Sequence, residues 1–333
     1  METNSHLSRL LAGADAKLLA GKAIVITGGG GGIGRALALF AAACGARVVV
    51  NDVRADAAST VAREVDPAGK IALANHDPVQ KWEGAQALIE ACVKAFGRID
   101  GLVNSAGLAH NALPWEEPED DIRALIDVNV MGTIFCARHA MPIMMKQKSG
   151  SIVNMSSGNA FGTPNSATYS ASKAAVASAT FSWAFDLMPY GVRANAVSPY
   201  AVTHIKSYWQ DVGKKLGYTG VRESTAKEIA GASSPSKPAP ENMAPLLAYL
   251  LSDRSRHVTA QWIQLHGKRM TLIPRHVDQE NAGPFAEAEP WDVELVTKAF
   301  AHQYAGKLQP VVDYMMRYPT PSWPADSPQG AAP

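Results

Sequence analysis

From Lys22 to about Gly267, short runs of branched apolar residues alternate with longer, alanine-rich amphipathic stretches, and this alternation constrains the fold more than any other feature. The runs Ala23–Thr27, Arg47–Asn51, Ile71–Asn75, Gly101–Asn104, Ser151–Met155, Arg193–Ser198 and Trp262–Leu265 have the length and continuous apolar character of strands buried on both faces. Between them, Gly34–Cys44, Asp56–Val65, Lys81–Phe96, Glu119–Lys148, Thr168–Met188 and Glu241–Ser252 carry helical spacing. Strand–helix–strand units of this kind wind into a parallel sheet through right-handed crossovers. The expected architecture is α/β and doubly wound, a seven-stranded parallel sheet with helices on both faces.

Residues 1–21 read as an N-terminal extension and 22–267 as the single doubly wound domain. Within that domain, 200–240 is too long for an ordinary connection and reads as a lid over a substrate site. Residues 268–317 form a C-terminal extension with one amphipathic helix, Trp291–Tyr304. Residues 318–333 hold five prolines in sixteen positions, a composition expected to be disordered.

With 31 Lys+Arg against 30 Asp+Glu, the chain of 333 residues carries no global charge that would attract nucleic acid or an anionic membrane. No apolar run approaches the ~20 residues that cross a bilayer. The N-terminus lacks the apolar core of a signal peptide, so a cytoplasmic protein is expected. Cys44, Cys92 and Cys136 lie far apart in apolar stretches, which fits small core residues rather than a disulfide framework. No CxxC pair and no HExxH occurs, so no metal site is expected.

Directly after the first strand, Thr27-Gly28-Gly29-Gly30-Gly31-Gly32-Ile33-Gly34 opens a helix. Glycines at 28, 32 and 34 let the backbone approach a pyrophosphate, whose charge then sits on the helix amides and the positive end of the dipole. This is the dinucleotide-binding turn of a Rossmann fold. The second strand ends at Asn51-Asp52-Val53, with Asp52 eighteen residues after Gly34, where a carboxylate accepts the adenosine ribose hydroxyls and repels a 2′-phosphate. Arg54 argues the other way, but the turn itself holds no basic residue before Gly32. NAD is favoured over NADP.

Tyr169-Ser170-Ala171-Ser172-Lys173 places a lysine one helical turn after a tyrosine, on the same face. Hydride transfer between an alcohol carbon and nicotinamide needs a base for the hydroxyl proton, and a tyrosine of ordinary pKa near ~10 needs a nearby cation to act as one. Lys173 supplies that cation. Ser156-Ser157 at the end of the fifth strand offers a hydroxyl to hold the substrate oxygen, and Asn129 lies in the preceding helical stretch.

These motifs, in this order, resemble the short-chain dehydrogenase/reductase family over roughly residues 20 to 267: TGGGGGIG, VVVND, His76-Asp77, Asn104-Ser105-Ala106-Gly107, Asn129, Ser156-Ser157, YSASK and Asn195-Ala196-Val197-Ser198-Pro199. The resemblance implies a catalytic set of Asn129, Ser157, Tyr169 and Lys173. Asn129 would hold a water that connects Lys173 to solvent. It implies a cofactor site of Gly28, Gly32, Ile33, Gly34, Asp52, Val53, Asp77, Pro78, Asn104, Ala106, Gly107, Tyr169, Lys173, Pro199, Val202 and Thr203. Within it, Asp77 would bond the adenine amine. Position in the motif favours Ser157 as the acting serine, whereas a thirteen-residue interval to the tyrosine favours Ser156. The resemblance also implies a homo-oligomer, dimer or tetramer, with residues 174–187 as its candidate interface or else packed against the sheet.

Two departures stand out. Pro199-Tyr200 replaces the usual Pro-Gly, with Thr203 one residue early, and Thr259–Gly267 lacks two glycines of many relatives. That altered end and the tail are similar to a subgroup related to bacterial 3-hydroxyacyl-CoA dehydrogenases and to 17β-hydroxysteroid dehydrogenase type 4. Tyr200, Tyr208, Trp209 and Tyr218 in the lid suit either a bulky apolar substrate or the lid's own packing. The expected function is an NAD-dependent oxidoreductase acting on a small-molecule secondary alcohol or ketone. The alternatives are an NADPH-dependent carbonyl reductase and a non-catalytic nucleotide-binding protein on the same fold.

Overall fold

The computed structural model describes residues 7–200 except residue 9, then 239–266 and 269–274, and residue 302 alone beyond them. The chain divides into a first compact unit, Met1–Ile273, and a second, Pro274–Pro333. Residues 201–238 of the expected lid at 200–240, Val202 and Thr203 with them, the helix at 291–304 and the proline-rich tail all lie outside the described residues.

The first unit is built on strands β1 (Ala23–Thr27), β2 (Arg47–Asn51), β3 (Ala72–Asn75), β4 (Gly101–Asn104), β5 (Gly150–Met155), β6 (Val192–Tyr200), β7 (Trp262–His266) and β8 (Arg269–Leu272). Their order across the sheet is β3-β2-β1-β4-β5-β6-β7-β8. The first seven are parallel, as expected. The eighth, antiparallel to β7 and pairing Ile263 with Leu272 and His266 with Arg269, comes from residues that the sequence reading assigned to the C-terminal extension. It is short, and Met270 and Leu272 are exposed, so it has none of the buried apolar character that marks the other seven.

Alternating side chains of each strand enter opposite layers, as the twofold repeat of a strand requires. Ile24, Ile26, Val48, Val50, Val103 and Val153 pack under helices α1 (Gly32–Ala43) and α2 (Ala55–Val65). Ala23, Val25, Val49, Leu102 and Ile152 pack under α3 (Trp82–Phe96) on the other face. Leu10, Leu11, Ala14, Leu18 and Leu19 of the N-terminal stretch join the first layer, tied by the Leu19 amide to the Cys44 carbonyl. Cys44, Cys92 and Cys136 are free and buried.

The stretch Glu119–Lys148, expected to be one helix, is broken. Helix α4 (Glu119–Ile126) runs into a single π-helical turn, Asp127–Met131, before α5 (Gly132–Gln147) continues. Asn129 sits in that turn and Thr133 Oγ1 donates to its carbonyl at 2.8 Å. Such one-residue insertions recur at functional sites because they re-aim a side chain. Helix α6 (Ala167–Leu187) follows β5 and carries Tyr169 and Lys173. Val176, Ala177, Thr180 and Ala184 of the candidate interface segment are buried, whereas Phe185 is exposed. Helix α7 (Ala244–Leu251) covers the remaining edge of the first layer.

The carboxyl ends of five neighbouring strands finish on one row of polar residues. Asn75 is in register with Asn51, Asn51 with Thr27, Thr27 with Asn104, and Asn104 with Asn154. All five are buried. Asn51 Nδ2 donates to Asn75 Oδ1 at 2.7 Å, Asn104 Nδ2 to Asn154 Oδ1 at 2.8 Å, and Asn154 Nδ2 to Thr180 Oγ1 at 2.8 Å.

Candidate active site

A cleft of about 250 Å³ opens above this row, at the carboxyl ends of the strands where doubly wound sheets take their ligands. Its walls include Gly28, Gly32, Ile33, Gly34, Asp52, Ala106, Gly107, Tyr169, Lys173 and Pro199, so ten of the residues singled out in the sequence converge here.

The glycine turn is shaped by close backbone approach. Gly28 has φ +64° and a Cβ there would lie 2.8 Å from the Ala106 Cα. A Cβ on Gly34 would collide with the Gly28 carbonyl, so the helix start lies directly on the turn. Thr27 Oγ1 accepts from the amides of Ser105 and Ala106, both at 3.0 Å, which fixes the end of β4 against this turn.

Asp52 is almost wholly buried, 7% exposed, and saturated with donors. The Gly30 amide donates to Oδ2 at 3.1 Å, the Arg54 amide and Nε to Oδ1 at 3.0 and 3.1 Å, and Arg54 Nη2 to Oδ2 at 3.1 Å. The sequence placed Arg54 near this carboxylate; the structure makes it a two-pronged partner. Val53 is exposed and Asp77 and Pro78 do not line the cleft. Asp77 Oδ2 accepts from Asn75 Nδ2 at 2.7 Å instead. Asn104 lies in the polar row, its Oδ1 buried without a hydrogen-bond partner.

At the opposite wall the Tyr169 hydroxyl shares a hydrogen bond with the Ser157 side chain. Burial pushes the phenol above its ordinary pKa, and the Ser157 bond opposes that rise. Lys173 Nζ lies 5.8 Å from the Tyr169 ring and donates to the Met155 carbonyl at 2.9 Å. Burial brings the ammonium down to about 8. Ser156 lines the cleft, but its Oγ is engaged, donating to the Lys173 carbonyl at 2.8 Å. Of the two serines left open by the sequence, the one beside Tyr169 is Ser157.

Asn129 makes no hydrogen bond to Lys173. Its amide clasps the Leu108 backbone, accepting from the Leu108 N–H at 2.7 Å and donating to the Leu108 carbonyl at 2.9 Å, and also donates to Ser172 Oγ at 3.0 Å. Tyr200, in the position usually glycine, sets its ring edge-on against His266 with centroids 4.1 Å apart. Sequence reasoning missed His110, Glu117 and Thr168, which form a bonded chain beside Tyr169. They stand seven and fifty-one residues apart, and no local pattern connects them.

A dinucleotide-binding turn joined to a tyrosine, lysine and serine at one cleft defines a nicotinamide-dependent oxidoreductase. The family model for short chain dehydrogenases matches residues 22–211, and the chain belongs to that family. It is 34% identical over 255 residues to the 3-oxoacyl-[acyl-carrier-protein] reductase FabG of Thermotoga maritima, covering 75% of this chain and 98% of that one. It is 36% identical over 195 residues to the peroxisomal hydratase-dehydrogenase-epimerase of Neurospora crassa, which spans 56% of this chain and 22% of that much longer protein. Among solved structures, 3-ketoacyl-(acyl-carrier-protein) reductase from Brucella melitensis complexed with NADH superposes with a TM-score of 0.66 at 28% identity, over 75% of this chain and 99% of that one. No helix among the described residues is long and apolar enough to cross a membrane, and no cluster of three or more His, Cys, Asp or Glu side chains among them is placed to hold a metal ion.

Proposed function

We propose that the protein interconverts a secondary alcohol and its ketone with NAD(H), on a bulky apolar substrate of the hydroxyacyl-thioester or hydroxysteroid kind. The observation that carries this reading is that Tyr169 and Lys173 line the cleft together, with the Ser157 side chain bonded to the Tyr169 hydroxyl.

The residues fit a dinucleotide. The turn at Gly28 and Gly34 would hold the pyrophosphate on the amides of α1, and Asp52 the adenosine ribose. When bound, the nicotinamide donates or accepts the hydride. The chain's own residues handle the proton. Ser157 and the Tyr169 hydroxyl hold the substrate oxygen, and in oxidation the Tyr169 phenolate takes the alcohol proton from it. Lys173 makes that phenolate accessible by placing a positive charge near it inside a site where charge is weakly screened. In reduction the same phenol returns the proton to the developing alkoxide, with Ser157 donating to the oxygen as charge builds.

The carboxylate of Asp52 supports NAD, as does the NADH-bound relative. Arg54 supports a second reading, NADP(H), because a guanidinium already beside Asp52 can turn to a 2′-phosphate. The acyl-thioester class rests on the relatives that reduce 3-oxoacyl groups.

The test is NADH formation against a panel of secondary alcohols, hydroxysteroids and 3-hydroxyacyl-CoA esters, repeated with NADP. Turnover of a 3-hydroxyacyl-CoA with NAD is expected. Turnover with NADP alone would reject the cofactor, and turnover confined to small hydrophilic alcohols would reject the substrate class.

A further inference from the structure

Between β4 and α4 the chain runs along the N-terminal end of α6, and the two are stitched together. The Ala112 amide donates to the Asn165 carbonyl at 3.0 Å and Ser166 Oγ donates to Asn111 Oδ1 at 2.7 Å. Deeper in, Thr168 Oγ1 donates to Glu117 Oε2 at 2.6 Å, and the other oxygen of Glu117 lies 2.5 Å from His110 Nε2. The side chains of His110 and Glu117 are each at least nine-tenths buried. Thr168 immediately precedes Tyr169. Two residues before His110, Leu108 is clasped through its backbone by Asn129.

A buried carboxylate is costly unless its lone pairs are filled, and both oxygens of Glu117 are filled by groups from separate segments. The alternatives for the same space are apolar residues, which would hold the loop equally well in bulk but without direction. Hydrogen bonds to a carboxylate are short and directional, so this one fixes the first turn of α6 in rotation as well as position. That rotation decides where the Tyr169 hydroxyl points, while Lys173, a turn deeper, is anchored separately by the Met155 carbonyl. We propose that His110, Glu117 and Thr168 form a positioning relay that sets the first turn of α6 and so holds the Tyr169 hydroxyl against Ser157. None of the three touches the reacting atoms.

This rests on the reading of Tyr169 as the acid/base group, and the test separates the two. The phenolate of Tyr169 is titrated by its ultraviolet difference signal, wild type minus Tyr169→Phe, which requires no substrate. Among the groups beside that phenol are the Lys173 ammonium and the Ser157 hydroxyl. Thr168→Val keeps shape and removes the donor, and Glu117→Ala removes both bonds. Each should raise the titration midpoint by about one pH unit, the size of a hydrogen bond to a charged group lost in part, and lower kcat about tenfold on 3-oxobutanoyl-CoA with NADH. Affinity for NADH should stay within about twofold, because the glycine turn lies on the other wall. Thr168→Ser restores the hydroxyl and Glu117→Gln restores an acceptor for Thr168 while its amide donates to the other tautomer of His110, so both should titrate like wild type.

A Thr168→Val protein that melts cooperatively and titrates as wild type overturns the relay. So does a Thr168→Ser protein as impaired as Thr168→Val, and so does loss of NADH affinity in step with kcat, since either marks general damage. If Thr168→Val fails to fold, the comparison of Glu117→Gln with wild type decides alone: a raised midpoint in that isosteric variant, with melting unchanged, rejects the tautomer-tolerant relay. Retained turnover in Tyr169→Phe instead rejects the acid/base reading itself.

Discussion

Ser156 and Ser157 are neighbours whose hydroxyls face opposite partners: Ser156 Oγ is spent on the Lys173 carbonyl, while Ser157 meets the Tyr169 hydroxyl. Ser157→Ala should lower kcat by roughly 100-fold or more with unchanged melting, as expected for loss of a donor to developing charge. Ser156→Ala should leave kcat within a few-fold and cost about 1 kcal/mol of stability. Denaturant melts beside steady-state rates check both, and the reverse pattern would exchange the two roles.

Lys173 is held in the protein with a pKa brought down from 10.5 to about 8 by burial. The folded state therefore binds this proton less tightly than the unfolded chain does. Below pH 8 the ammonium is a burden on stability, and the burden is lifted as pH rises from about 8 to 10.5. Lys173→Met should abolish turnover and yet raise Tm at pH 7, because the variant no longer buries a charge of order 3 kcal/mol in cost. The gain should vanish toward pH 10.5. A Tm that falls at pH 7 would show that the bond to Met155 outweighs desolvation.

Arg54 grips both oxygens of Asp52 from an exposed position. On the proposed reading, Asp52→Ala takes away an acceptor for the ribose hydroxyls and releases the guanidinium at once, so affinity should move from NAD toward NADP by tenfold or more in ratio. Arg54→Ala should leave NAD affinity near wild type and weaken NADP further. Titration of both dinucleotides by fluorescence measures the ratios. A wild type that already prefers NADP would reverse the roles assigned to this pair.

The strand Arg269–Leu272 pairs with the outer edge of β7. A chain ending at Gly267 should melt lower than one ending at Ile273, by roughly 2–4 °C for each kcal/mol the four-residue ladder supplies. Equal melting temperatures would make the eighth strand dispensable to the sheet.

The seven buried strands were legible because burial on both faces leaves a continuous apolar signature; β1, β2 and β4 fall on their expected residues. The eighth was not, since Arg269–Leu272 is an exposed edge held by backbone pairing that side chains do not announce. The helix expected across Glu119–Lys148 missed the π-helical turn at Asn129, because apolar spacing carries through a single inserted residue. Within the site, the glycine turn and Tyr169–Lys173 are local in sequence and were readable. The His110–Glu117–Thr168 chain and the embrace of Asp52 by Arg54 depend on side-chain direction, which spacing leaves undetermined.

The polar row from Asn75 to Asn154 also bears on how the sheet finds its alignment. Buried apolar strands of similar residues can slide past one another with little change in packing, since one valine substitutes for another. A row of amides cannot. Slipping β2 against β3, or β4 against β5, would set a buried amide beside a valine or alanine and strand its donors away from water, at a cost of about 1–3 kcal/mol for each unmatched group. The row thus acts as a vernier at the ligand-facing end of the sheet, and the misaligned states it disfavours are those that would offset the glycine turn from the tyrosine across the cleft.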